Sequence, residues 1–417
     1  MCAWLLASDI ERPASPCRCE SRWSGSKMSV IRQVDGVGVT VFDGDLRSDG
    51  SGPKREISVD LDGVAEAVDE VEDVLGNDQA AIVMLGVEEP TVALEEFELS
   101  RPGVFWKAMA MRSYRFIQVD VFTETPFGGN PLAVFHQAEG LSGEEMQQLA
   151  MEMNLSETTF VLPSRAPGAD FKVRIFTPTS ELPFAGHPVV GTHWVLARLG
   201  RVDLREPVTK VSFELGVGVL PADLHVVGGG VERVVMTQDR PSFHTVLEDV
   251  GELAAGLGLP PEVITETGLP VQVVSTGIPQ MMIPVRSLAD VQYLAADRLD
   301  VATLTRVCRA VGTDCAMVFS LETESSEATV HTRMFAPSLG VPEDPATGSA
   351  NGALGAYLVR HRAVPVTEPT TYITSEQGLE LGRPSTLYVE VDSEGEEVTG
   401  VRVGGQVVAV AEGEVRF

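Results

Sequence analysis

The apolar positions of this chain follow a pattern that occurs twice. "LSGEEMQQLAMEMNLSETTFV", from Leu141, and "LDVATLTRVCRAVGTDCAMVF", from Leu299, align without a gap, and apolar residues coincide at Met146 and Leu304, Leu149 and Val307, and Met153 and Val311. Spacings of three and four put these residues on one helix face, and the residues after each helix read as a strand. "GGNPLAVF" (from Gly128) answers to "TGIPQMMIPV" (from Thr276) in the same order. A third pair completes the series. "RIFTPTSELPFAGHPVVGT" (174–192) reads as a strand running through Pro178 and Pro183 into a Gly-rich turn with His187 at the bend. "RMFAPSLGVPEDPATGSA" (from Arg333) repeats the order of Arg, apolar residue, Phe, Pro and turn, with Asp344 at its bend.

The tails His187-Pro-Val-Val-Gly191-Thr192 and Asp344-Pro-Ala-Thr-Gly348-Ser349 align as [HD]-P-x-x-G-[TS], which makes His187 and Asp344 equivalent points of an internal duplication. A helix is expected after each turn, one ending at Gly200 and one near Pro365. The two special residues would then stand at helix N-termini facing one cleft. "VRVGGQVVAVAEGEVRF" predicts a closing hairpin. The expected fold class is α+β, each half a sheet wrapped around a central helix. The first lobe is placed at 112–230, with the C-terminal hairpin of about 396–417 joining it, and the second at 231–395.

Residues 1–111 carry no copy of the repeat and include loop-like stretches such as "SRWSGSK" and "RSDGSGPKRE". Two readings stay open for them. Val64–Val74 as a short acidic helix and Ala80–Leu85 as a strand would give a small accessory module; alternatively, Met109 or Met111 is the start, because "RSYRFIQVDVF" begins a strongly patterned strand directly afterwards.

With 417 residues, 44% of them hydrophobic, the chain is long enough for two to three domains and a sizeable core. No apolar run approaches the roughly 20 residues of a membrane span, and the Trp4–Ala7 stretch meets Asp9 too early for a signal peptide, so a soluble cytoplasmic protein is expected. The formal charge of −29, from 60 acidic and 31 basic residues, excludes nucleic acid as a natural partner and suits a salt-rich cytoplasm. The five cysteines have neither zinc-site nor disulfide-framework spacing and read as reduced, partly buried thiols.

The candidate chemistry lies on the duplicated scaffold. Glu157, in "NLSETTFV", is flanked by Leu155 and Phe160 at the start of an apolar strand, where desolvation raises a carboxyl toward the proton-exchanging range. A helix N-terminus at Gly348 and Ser349 offers backbone donors for a carboxylate, although Ser349 alone also fits a plain helix cap. Glu157, His187 and Asp344 together give a base with an adjacent acid or hydrogen-bond pair.

"FGGNPLAVF", "NLSETTFV", "FAGHPVVGTHWVL" and "EDPATGSANGAL" resemble, in order and separation, the signature segments of the phenazine-biosynthesis isomerase (PhzF-like) family, over Arg115 to Phe417. The resemblance implies the diaminopimelate-epimerase fold, with two pseudo-symmetric lobes each wrapping a barrel-like sheet around a central helix, and a homodimer without cofactor or metal. It implies that Glu157 moves a proton between two carbons of a cyclic, amino-acid-like substrate, assisted by His187 and Asp344. Gly186, Gly348 and Ser349 would hold the substrate carboxylate. Racemases of similar fold use two cysteines at the helix N-termini; here Cys308 falls inside a helix face and Cys315 opposite Glu157. A binding protein that kept the cleft and lost turnover is the third reading.

Overall fold

A computed structural model describes the backbone at residues 38–42 and 54–58, and the chain over 112–295 and 298–417. The chain divides into two units, with Tyr114–Val415 forming the larger. In the smaller, β1 (Gly38–Phe42) pairs antiparallel with β2 (Lys54–Ser58), Gly38 opposite Ser58. Lys54, Arg55 and Glu56, read as loop, therefore belong to a strand. The readings of a helix at 64–74 and a strand at 80–85 lie outside the described residues.

The larger unit is a sheet-rich mixed α/β fold with few helices. Its strands begin with β3 (Ser113–Val121), β4 (Asn130–Phe135), β5 (Glu157–Pro163), β6 (Phe171–Phe176), β7 (Glu181–Leu182), β8 (Val208–Leu215), β9 (Gly218–Val227) and β10 (Gly230–Thr237). They continue with β11 (Ser242–Val246), β12 (Gln272–Ser275), β13 (Pro279–Pro284), β14 (Ala316–Ser320), β15 (Val330–Ala336) and β16 (Val341–Asp344). The last four are β17 (Thr370–Gln377), β18 (Ser385–Glu394), β19 (Glu397–Gly405) and β20 (Val407–Arg416).

One series of pairings occurs twice. β3 and β4 are antiparallel, β4 and β5 parallel, β5 and β6 antiparallel, β6 antiparallel to β7 and parallel to β8, and β8–β9–β10 an antiparallel meander. β12 through β19 repeat each of these relations in the same order. The last members of the two series meet, β10 lying antiparallel to β19 with Val234 opposite Gly405. A boundary at 230/231 thus falls at the first residues of a strand, β10, that pairs with β9 and β19.

The helix faces follow from the apolar spacing. α1 (Gly143–Met153) buries Met146, Leu149 and Ala150; Ser142 and Glu145 close a capping box at its start, and Asn154 ends it in the left-handed conformation. α2 (Gly186–Arg198) follows β7. Between β11 and β14 lie α3 (Gly251–Leu257), α4 (Glu262–Thr265), α5 (Leu288–Tyr293) and α6 (Val301–Ala310), the last burying Leu304, Val307 and Cys308. α7 (Gly348–Arg360) follows β16. α3, α4 and α5 were not expected, because their apolar runs are shorter than the window in which helical periodicity shows.

α2 and α7 are buried on nearly every side, as expected of helices enclosed by sheet. α2 packs on β4, β5 and β10, and α7 on β12, β13, β18 and β19. Gly191 permits the approach in the first half: a Cβ there would lie 2.6 Å from Leu132 Cδ2. The predicted closing hairpin is corrected. β18 and β19 form the hairpin, turning at Gly395, while β20 leaves it and lies along β3, with the Phe122 amide donating to the Gln406 carbonyl at 2.8 Å. The physical reason is that β19 is already paired on both edges, by β18 and β10, so its continuation must find another partner. Among the described residues no helix is long and apolar enough to cross a membrane.

Candidate active site

Glu157 opens β5, opposite Leu132 on β4. The strand beyond it is buried from Thr158 to Val161, so the carboxyl stands at the rim of an apolar region with 16% of its side-chain surface exposed. Burial, with the Asp344 carboxylate adding repulsion, pushes it up to about 8.

His187 is the second residue of α2, not a bend before it, because the strand read through Pro178 stops at Phe176 and the helix starts at Gly186. Its ring is buried, which pushes the imidazole down to about 3 although the Pro131 carbonyl accepts a hydrogen bond from it. His187 Nε2 lies 3.2 Å from Glu157 Oε2, and neither atom has an aligned hydrogen-bond partner. With the imidazole neutral and the carboxyl raised, this contact at neutral pH is a neutral pair rather than a salt bridge.

Asp344 ends β16. Burial pushes its carboxyl up to about 6, against the hydrogen bonds it accepts from Thr347 and Asn130. Asn130 Nδ2 donates to Asp344 Oδ1 at 2.9 Å and to the Ala346 carbonyl at 3.0 Å; the Thr347 hydroxyl donates to Asp344 Oδ2. Gln377 supports the turn, donating to the Asp344 carbonyl at 2.8 Å and accepting from the Thr347 amide at 3.2 Å.

His187 and Asp344 share this site, yet they are not equivalent points. Ile175 pairs with Leu182 in the first half, and Met334 with Asp344 in the second. Arg174 grips Glu181 through Nε and Nη2, both at 2.7 Å, as Arg333 grips Glu343 at 2.8 and 2.7 Å. These relations match Glu181 with Glu343, Leu182 with Asp344, Gly186 with Gly348, and His187 with Ser349. The first half contains P-x-x-G twice, at Pro183–Gly186 and Pro188–Gly191, and strand pairing makes the first the counterpart of Pro345–Gly348. Asp344 is accordingly three residues ahead of the Thr347 N-cap, and Ser349, like His187, is a second helical residue rather than a cap.

Gly186, Gly348 and Ser349 do converge. A Cβ on Gly186 would lie 3.9 Å from Gly348 Cα and 4.0 Å from the Ser349 amide nitrogen, so the N-termini of α2 and α7 meet head to head. Neither N-cap, Ala185 or Thr347, caps with its side chain. Two positive helix ends with open amide donors therefore point into one gap. Gln238 holds the second of them, donating to the Gly348 carbonyl at 3.0 Å and accepting from the Thr276 hydroxyl at 2.5 Å. Phe122 lies beneath it, buried, with φ +68°; a Cβ on Gly348 would stand 3.4 Å from its ring.

Sequence reasoning did not find Asn130, Thr347, Gln238, Gln377 or Phe122. The one signal for them in the sequence is the Asn of "GGNPL", a polar residue at the start of an apolar strand. Among the described residues the thiols are not at helix N-termini: Cys308 is buried on α6 and Cys315, which senses Asp344, stands just before β14, and burial pushes them up to about 12 and about 11.

Residues 119–413 match the family model described as phenazine biosynthesis-like protein. A trans-2,3-dihydro-3-hydroxyanthranilate isomerase of Pseudomonas aeruginosa is 36% identical over 303 residues, covering 72% of this chain and 98% of that protein. An uncharacterised isomerase of Clostridium acetobutylicum is 34% identical over 307 residues, covering 73% and 99%. A PhzF-family phenazine biosynthesis protein of Bacillus anthracis superposes with a TM-score of 0.66 at 28% identity, covering 73% of this chain and 99% of that one. Sequence and structure agree over nearly the whole length of these relatives, and the chain belongs to the PhzF family of isomerases.

Proposed function

We propose that the protein moves a proton between two carbons of a small, cyclic carboxylate, with Glu157 as the carrier. The observation that supports this best is a carboxyl poised at about 8, beside a neutral imidazole and without an aligned partner, at the rim of a gap lined by two open helix N-termini. The Glu157 carboxylate takes a proton from a carbon next to the conjugated acid, and the electron pair spreads over the π system toward the substrate carboxylate. The Glu157 carboxylic acid then returns the proton at another carbon, so one side chain serves as base and acid. His187 shapes the gap and accepts from Glu157 when that group is protonated. The amides of Gly186, Gly348 and Ser349 hold the substrate carboxylate and the charge that develops on it.

No step of this scheme calls for a metal or redox cofactor, and the substrate of the Pseudomonas aeruginosa relative is the first molecule to try. We read the twice-written pairing series as a duplicated diaminopimelate-epimerase-like fold, its lobes at 112–230 and 231–395, assembling as a homodimer. A two-thiol racemase is disfavoured because the first positions of α2 and α7 hold no cysteine and the two described thiols are buried and neutral. The test is incubation with trans-2,3-dihydro-3-hydroxyanthranilate and related cyclic acids in deuterated water. Deuterium at the accepting carbon, lost in Glu157→Gln, is expected; undiminished incorporation in that variant places the base elsewhere, and tight binding without incorporation makes the protein a binder.

A further inference from the structure

Three consecutive residues at the start of β4 each reach one of the three site groups. The Asn130 side chain donates to Asp344, the Pro131 carbonyl accepts from His187, and Leu132 stands opposite Glu157 in the parallel register. Asn130 is fully buried and spends both amide hydrogens on the second half of the chain, at Asp344 and Ala346. The amide orientation follows from these partners, since the flipped form would set Oδ1 against a carboxylate and a carbonyl. The matching position in the second half does not copy the device: the residue before Pro279 is Ile278, which is exposed.

We propose that Asn130 is a positioning residue which, by donating to Asp344 from the strand that also holds His187 and Glu157, assigns the negative charge of the site to Asp344 and leaves the exchangeable proton to Glu157. The inference rests on the reading of Glu157 as proton carrier. Two carboxyls that sense each other in a buried gap do not both ionise readily, and the one with the better donors keeps the charge. Asp344 has two side-chain donors, from Asn130 and Thr347, whereas Glu157 Oε2 faces the Nε2 of a neutral imidazole and has none aligned. The remaining charged and titratable neighbours do not reverse this order. Glu343 adds repulsion on the strand of Asp344 and is itself gripped by Arg333, and the Cys315 thiol stays neutral.

The test uses the full chain carrying carboxyl-13C Glu and Asp, titrated by NMR, with the two resonances assigned through Glu157→Gln and Asp344→Asn. Asn130→Leu keeps the volume and removes the donors. It is expected to raise the Asp344 midpoint by about one pH unit or more and to lower that of Glu157, because the neighbour's charge is lost. The rise of kcat/KM with pH should move to lower pH together with Glu157. Thr347→Val removes the other donor, should shift both midpoints in the same opposed directions, and serves if Asn130→Leu does not fold. Midpoints that stay in place, or move together, in a folded variant overturn the proposal. Deuterium incorporation that survives Glu157→Gln would instead remove the catalytic reading, while opposed shifts would still stand as the behaviour of the pair.

Discussion

Glu157 carries opposite consequences for chemistry and for stability. Its carboxyl is raised from about 4.5 to about 8, so its contribution to folding is full below the lower value and is lost as pH rises through the upper one. A tenfold change in acidity corresponds to about 1.4 kcal/mol. Glu157→Gln, which has nothing to ionise, is therefore expected to gain on the order of 4 kcal/mol relative to wild type between pH 5 and pH 9, seen as a rise of its Tm relative to that of wild type across this range. The same substitution should cost at least about a hundredfold in turnover, the usual scale of general acid/base catalysis. A second contrast shows how far residue identity alone can be read. His193 is as buried as His187, yet its nitrogens face the Val189 carbonyl at 2.7 Å and the Val211 carbonyl at 3.3 Å, which makes it a satisfied core residue. Of the two, only His187 stands at the first position of the shared [HD]-P-x-x-G-[TS] pattern. Asn130 stayed hidden, since its partner Asp344 is 214 residues away and local pattern carries no information about so distant a contact.

Helices α1 and α6 were legible because their buried faces, Met146 with Leu149 and Leu304 with Val307, recur at helical spacing. The start of α2 was not, because two P-x-x-G runs five residues apart satisfy the same short pattern. Strand pairing settles the choice: register is fixed by which face is buried, and here also by the Arg174–Glu181 and Arg333–Glu343 forks. The head-to-head meeting of α2 and α7 gives a prediction at this scale. Gly186→Ala places a methyl group at ordinary contact distance, 3.9 Å, from Gly348 Cα, so the fold should tolerate it, and alanine favours the helix. The methyl group occupies the gap where the substrate carboxylate is proposed to sit. KM is expected to rise about tenfold with Tm unchanged or slightly higher; an unchanged KM would move the carboxylate site away from the helix ends.

At the scale of the whole molecule, the duplicated pattern announced a sheet-rich fold with two enclosed helices, and the structure has both. The path of β20 was not legible, because "VRVGGQVVAVAEGEVRF" alternates equally well for a hairpin and for a strand that departs to another partner. The compact unit of Tyr114–Val415 and the family match over 119–413 both lie downstream of residue 111. A chain beginning at Met111 is accordingly expected to stay soluble and keep full turnover, measured by the same deuterium incorporation. Insoluble or inactive protein would show that the preceding residues are needed.

The seating of β20 along β3 also bears on how the molecule is made. During synthesis β3 emerges early and gains β4 on one edge within a few tens of residues, but its other edge waits for about 290 more before its partner leaves the ribosome. For that interval a strand carrying Ile117, Val119 and Val121 presents unpaired amides and carbonyls, the situation in which chains join edge to edge. A chain stopped after Gly405 would hold β3 in that state permanently, and is expected to associate edge to edge rather than stay monomeric, which sedimentation of the truncated protein would read.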